Sequence, residues 1–210
     1  MKYTIIKDYY RLAQFDFFKK YRDPRYHCTI EFDITLLKQL VKKKNYSLYY
    51  SLCYIFTKVM IGLPDFRYRL LNNEIVQYEK LHPRMLVAAK DGTFSEAAVN
   101  YKDSLSEFDF IAKEIAKSAE EKPGILEADQ HKNQVYYSST PKVSFTSLTH
   151  ISENDSNNVI PKICFGKFHE KHGKIFIPAG IQVNHIFIDG NHLGLLAEKV
   201  QYIFNNLERL

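Results

Sequence analysis

The sequence has no tryptophan, only three cysteines, and no stretch rich in glycine and serine. Cys28, Cys53 and Cys164 stand far apart and form no CxxC pair, which excludes a zinc ribbon or a disulfide framework. Reduced, buried thiols in a cytoplasm fit that usage. No apolar run approaches the roughly 18 residues that a membrane span needs, and Met1-Lys2-Tyr3-Thr4 opens no apolar signal segment. Without a linker or an internal repeat, the 210 residues are expected to form one domain, 1–210. No nucleic-acid motif accompanies the densest basic run, residues 42–44. Beside Leu36, Leu37, Leu40 and Val41 that run reads as the solvated face of a helix. Neither nucleic acid nor a membrane is therefore an expected partner.

What is abundant is tyrosine and phenylalanine, 15 of each. Both favour strands and interfaces, so a large sheet and a buried subunit contact are expected. The formal charge of +5 suits an anionic ligand such as a phosphorylated cofactor.

Cys28, Ile30, Phe32 and Ile34 alternate with polar residues, the period of a half-buried strand. Thr35 is placed to cap a helix reaching Lys44, and Ser47 to cap a second with Leu52, Ile55, Phe56, Val59 and Met60 on one face, ended by Pro64. Asn72-Asn73 is set to turn a hairpin, and a strand is expected around residues 85–89. Ser104 opens a helix with Phe108, Ile111, Ile115 and Ala119 as its stripe. The second half reads mostly as strand: residues 135–145 interrupted by Pro141, then 163–168, then 174–188, with a turn at His172-Gly173 and a polar surface loop at 152–158. A last helix follows from about Asn191 to Leu207. Helices early and strands late imply an α+β fold, with helices packed on a mostly antiparallel or mixed sheet.

The segment richest in chemistry is residues 181–190, IQVNHIFIDG. Strand alternation would place His185 in one apolar row with Ile181, Val183 and Phe187. Histidine is the side chain best suited to move a proton near neutral pH, and a rigid strand end would hold it still. A lone histidine on an apolar face is more often a satisfied core residue, and Asp189-Gly190 more often a plain turn.

Asn184-His185-Ile186-Phe187-Ile188-Asp189-Gly190 resembles the HHxxxDG signature of the chloramphenicol acetyltransferases, and the related DHxxxDG form of the dihydrolipoamide acyltransferase cores. Phe32-Asp-Ile-Thr, Pro64-Asp-Phe-Arg, His82-Pro83, Pro141-Lys-Val-Ser-Phe-Thr-Ser147 and Phe165-Gly-Lys167 resemble further landmarks of the chloramphenicol family, in the same order. The resemblance implies a chloramphenicol acetyltransferase-like two-layer sandwich and a homotrimer with its sites at subunit interfaces. It also implies an acetyl-CoA-dependent O-acetyltransferase acting on a small-molecule alcohol, with chloramphenicol the first candidate and no metal. By the same resemblance His185 is the general base and Ser138 the oxyanion donor. Asp189 and Arg11 are a supporting ion pair, Phe17 and Phe18 line the acceptor pocket with His150, and Lys167 and Phe168 meet CoA.

The pattern departs in places. Cys164 stands where the family carries a threonine, and a thiol donates hydrogen bonds poorly. Arg22, His150, Ser152 and Lys162 fall where the antibiotic enzymes are mostly apolar. A catalytically silent trimeric ligand-binding protein of the same fold is the alternative.

Overall fold

The computed structural model describes residues 2–121, 124, 132–151, 155 and 157–210. In chain order the elements are β1 (Tyr3–Ile5), α1 (Leu12–Phe18), β2 (Arg25–Asp33), α2 (Thr35–Lys44), α3 (Leu48–Ile61), β3 (Tyr68–Leu71), β4 (Glu74–Tyr78), β5 (His82–Ala88), β6 (Phe94–Ala98), α4 (Leu105–Glu121), β7 (Gln134–Ser139), β8 (Lys162–Phe165), β9 (His169–Lys171), β10 (Lys174–Asn184) and α5 (Gly190–Asn205). Among the described residues, seven strands form one mixed sheet in the order β2-β10-β8-β7-β5-β6, with β9 paired to β10. The β5–β7 and β7–β8 pairs are parallel and the others antiparallel. A small antiparallel sheet, β1-β4-β3, flanks it. The fold is α+β, as the order of elements implies.

Several local expectations hold for the reasons given. Ser47 caps α3 by accepting from the Tyr50 N–H. Asn72 and Asn73 take φ of 49° and 64° to turn the β3–β4 hairpin, and His172-Gly173 turns β9 into β10 with φ of 52° and 72°. Others differ. Thr35 is the first residue of α2 rather than its cap, because Asp33 Oδ1 takes both the Thr35 N–H (3.0 Å) and the Thr35 hydroxyl (2.6 Å). The strand expected over residues 135–145 stops at Ser139, before Pro141, and the one begun at 162 stops at Phe165. Helix α4 buries Phe108, Ala112 and Ala116, while Ile111, Ile115 and Ala119 are only half-buried. Its small residues let the helix sit close to β6.

Helix α3 is buried almost all round, including Ser51, Tyr54 and Thr57, since α2, α4 and α5 flank it above the sheet. Thr57 and the Tyr137 hydroxyl satisfy each other at 2.7 Å. Phe56 packs edge-on against Phe32 and Phe165 at 5.4 and 5.3 Å, locking helix to sheet. Each such buried phenylalanine contributes about 2–3 kcal/mol. Arg69 is also fully buried. It donates to the carbonyls of Phe66, Tyr68, Lys132 and Gln134, joining the small sheet to the approach to β7.

Candidate active site

Strand β10 ends at Asn184, four residues earlier than the hydropathy pattern suggests. Asn184 itself ends it. Its Oδ1 accepts from the Ile186 N–H at 3.0 Å, and its carbonyl accepts from Phe187 and Ile188 at 3.2 and 3.0 Å. A short polar side chain that folds back on the backbone two residues ahead converts strand into turn. His185 therefore lies in a turn and not in an apolar strand row. Its N–H donates to the Pro24 carbonyl at 2.8 Å. Its ring is stacked on Phe18 (centroids 4.0 Å, interplanar angle 5°), with Tyr26 beside it at 5.2 Å and 25°. The ring is half-buried, and its Nδ1 is buried with no hydrogen-bond partner among the described residues. Phe18 is thus a wall of the histidine's seat, while Phe17, 53% exposed, points outward beside Tyr21.

The turn is tied to the body of the chain by Asp189. Its Oδ1 caps α5, accepting from the N–H groups of Asn191 and His192 at 3.0 and 3.3 Å. Its Oδ2 meets Arg11 Nη2 at 2.7 Å, and Arg11 Nη1 donates to the Phe187 carbonyl at 2.9 Å. One arginine thus holds both the carboxylate and the backbone of the histidine turn. Burial would raise the Asp189 carboxyl, but the N–H and ring of His192 together with Arg11 outweigh it and hold it below the usual range. Sequence reasoning missed three members of this network. His192 Nδ1 lies 2.7 Å from Asp189 Oδ1, its Nε2 lies 3.5 Å from Asp65 Oδ2, and the Tyr10 hydroxyl donates to Asp65 Oδ1 at 2.7 Å. A signal existed for His192, which stands where the reciprocal residue of a helix capping box belongs.

Ser138, on β7, is in register with Cys164 on β8, which is in register with Gly180 on β10. Ser138 and Cys164 line a cavity of about 320 Å³ together with Tyr136, His150 and Lys162. His150 Nε2 meets the Gly180 carbonyl at 2.9 Å, so that nitrogen carries the proton. Burial, with His27 and Lys162 nearby, holds His150 below the usual histidine range. Arg22 is exposed and does not line this cavity, and Ser152 lies outside the described residues. The cavity also holds an ion pair that the sequence reading did not contain, Arg84 with Glu96. Only the β5–β6 register, which sets Glu96 opposite Leu86, brings them together.

A second cavity, about 160 Å³, is lined by Leu48, Tyr49, Leu52, Phe165 and Ile177, with Ser139, Lys167 and Phe168 also on its wall. Here the turn after β8 is tight. A Cβ on Gly166 would lie 2.7 Å from the Pro178 ring and 2.8 Å from the Phe145 ring.

Within one chain His185 and Ser138 do not share a cavity. His185 follows Gly180 by five residues, and Ser138 lies two strands to the side. At about 3.3 Å per residue and about 4.8 Å per strand, the separation is on the order of 15–20 Å.

This strand order, with a histidine turn leading through the Asp189 cap into the last helix, recurs in solved acyltransferases. A solved dihydrolipoamide acetyltransferase of Azotobacter vinelandii shares it at a TM-score of 0.68 and 18% identity, over 94% of this chain and 87% of that one. A solved chloramphenicol acetyltransferase aligns at a TM-score of 0.88 and 25% identity, over 97% and 100%. The sequence model of the family described as chloramphenicol acetyltransferase matches residues 1–201, and the chain belongs to that family. A chloramphenicol acetyltransferase of Escherichia coli is 28% identical over 197 residues, 93% of this chain and 90% of the relative. One of Staphylococcus aureus is 31% identical over 208 residues, 92% of each. The chain is accordingly an acyltransferase. Among the described residues no helix is long and apolar enough to cross a membrane.

Proposed function

We propose that this chain transfers the acetyl group of acetyl-CoA directly to a hydroxyl of a small molecule, with chloramphenicol, the acceptor named in its relatives, as the first candidate. The observation that carries the reading is the seat of His185: a half-buried imidazole stacked on Phe18 in a turn that Asn184, Asp189 and Arg11 hold from three sides. His185 takes the proton of the acceptor hydroxyl as that oxygen forms a bond to the thioester carbonyl carbon. Ser138 donates to the oxyanion that develops, an interaction worth about 3 kcal/mol in comparable single-donor cases. Collapse of the tetrahedral intermediate breaks the C–S bond, and the proton on His185 passes to the departing thiolate. The products are an acetyl ester and CoA. No acyl-enzyme forms, and Cys53 and Cys164, both buried, have no role as nucleophiles.

This chemistry needs His185 and Ser138 a few ångströms apart, and one chain holds them far from each other. Two chains of a homotrimer, with His185 of one facing the Ser138 cavity of the next, supply the site. The smaller cavity fits the CoA arm: its wall is apolar near Ser139, and Lys167 and Phe168 offer a cation and a half-exposed ring to phosphate and adenine.

The test is acceptor-dependent thiol release from acetyl-CoA with chloramphenicol and a panel of other alcohols. His185→Ala should lower it by about 10²–10⁴-fold, the contribution of a positioned base. Release that persists in His185→Ala at the wild-type rate would sink the assignment.

A further inference from the structure

The larger cavity carries hydrogen-bonding groups on both sides of Ser138. Across the sheet, β6, β5, β7, β8 and β10 lie side by side. Glu96 on β6 is opposite Leu86, which follows the Met85–Tyr137 pair of β5 and β7 as Ser138 does. On the other side Ser138 is opposite Cys164, and Cys164 is opposite Gly180, whose carbonyl takes the His150 Nε2–H at 2.9 Å. At about 4.8 Å per strand, the Glu96 backbone and the Gly180 anchor of His150 each lie about 10 Å from Ser138, in opposite directions. Both side chains line the one cavity of about 320 Å³, and the rest of its wall includes Leu86 and Leu148. With its proton committed to Gly180, His150 has only the Nδ1 lone pair left, and burial keeps the ring neutral. Glu96, 16% exposed, presents a carboxylate to Arg84, which is 4% exposed. The two groups therefore accept hydrogen bonds and donate none.

We propose that the preferred acceptor is a neutral, polyhydroxylated alcohol of sugar type, and that Glu96 and His150 each accept a hydrogen bond from a hydroxyl that does not react. This rests on the acetyl-transfer reading above. An acceptor acid is repelled by Glu96, and an ammonium by Arg84 and Lys162, which line the same cavity. A neutral donor suits both sides. A hydroxyl that donates to Glu96 still has lone pairs for the Arg84 guanidinium, so one group answers both members of the ion pair. An apolar guest would instead strand a carboxylate and an imidazole lone pair, at about 1–3 kcal/mol for each. Chloramphenicol meets the cavity less completely, because its nitrophenyl end has acceptors and no donor. A site that pairs with substrate hydroxyls rejects analogues that lack them. Glu96 and His150 thus determine specificity, and neither moves a proton in the reaction.

Initial rates of thiol release from acetyl-CoA compare methyl hexopyranosides and hexitols with chloramphenicol and with cyclohexylmethanol, which has no second hydroxyl. The best polyol should exceed cyclohexylmethanol in kcat/KM by about 10²-fold, about tenfold for each hydrogen bond, and should also exceed chloramphenicol. His150→Leu should lower kcat/KM for that polyol about tenfold, mainly through KM, and raise it for chloramphenicol. His150→Gln, which keeps an acceptor oxygen, should retain most of the polyol rate. Glu96→Gln leaves Arg84 a partner and should weaken the polyol while the KM for acetyl-CoA stays constant. Melting temperatures confirm that each variant is folded. A wild type that prefers chloramphenicol to every polyol overturns the proposal, as does a polyol preference that folded His150→Leu and Glu96→Gln leave untouched. Either result leaves the acetyl-transfer reading standing. Absence of acetyl transfer to every acceptor overturns that reading and this proposal together.

Discussion

Removal of Arg11 tests how the histidine turn is held. In Arg11→Met the carboxylate of Asp189 loses its partner at 2.7 Å and the Phe187 carbonyl loses its donor at 2.9 Å. The two side chains of the pair are 11% and 28% exposed, so the pair is neither a surface bridge nor fully buried. Breaking a buried pair costs about 3–5 kcal/mol and an exposed one under about 1. About 2 kcal/mol is reasonable here, and the lost carbonyl bond adds about 1 kcal/mol. A total near 3 kcal/mol corresponds to a fall in Tm of about 6–12 °C for a chain of this size. Asp189→Asn should cost less than Asp189→Ala, because asparagine still caps α5. The discriminating assay is a double-mutant cycle of Arg11→Met and Asp189→Asn, followed by denaturant unfolding and by kcat. The pair should show a coupling near 2 kcal/mol, and kcat should fall in each single variant while the KM for acetyl-CoA moves little. Effects that add to within about 0.5 kcal/mol, or a kcat untouched by either change, would refute the reasoning.

Two further outcomes follow from packing and burial. Gly166→Ala should destabilise the protein by about 1–3 kcal/mol, since its Cβ would fall 2.7 Å from the Pro178 ring; CoA binding should weaken with it, because the displaced loop carries Lys167 and Phe168, and an unchanged Tm counts against this packing. His27, His82 and His150 are each held below the usual histidine range, chiefly by burial, so the unfolded chain binds protons that the folded chain refuses. Their contribution is complete above about pH 6.5 and is lost as pH falls through the folded values. Urea midpoints at pH 7.5 and 5.5 should drop accordingly, and His82→Gln should flatten the slope; equal midpoints in the wild type would contradict the burial argument.

Much of the architecture could be read from residue order, because it rests on short-range chemistry. A serine before an apolar run caps α3, paired asparagines tolerate positive φ at the β3–β4 turn, and Asp189 stands at the start of a helix whose apolar residues recur every three or four positions. These features depend on neighbours within a few residues, so spacing alone is enough to place them. The position of His185 was less legible. Alternation extended the strand through it, and only the Asn184 side chain, folding onto Ile186, shows why the strand stops one residue earlier.

What spacing alone could not supply is every contact set by strand register or helix docking. Arg84 meets Glu96 across the β5–β6 pair, His192 is held between Asp189 and Asp65, and Lys38 comes to rest on Phe168 from a helix 130 residues away in sequence. The wide spacing of His185 and Ser138 belongs to the same group, since two strands and five residues separate them only once the sheet order is known. Sequence patterns specify the local elements because backbone geometry repeats along the chain. The arrangement of those elements decides which charges and rings become neighbours, and here that arrangement sets His185 and Ser138 apart within one chain.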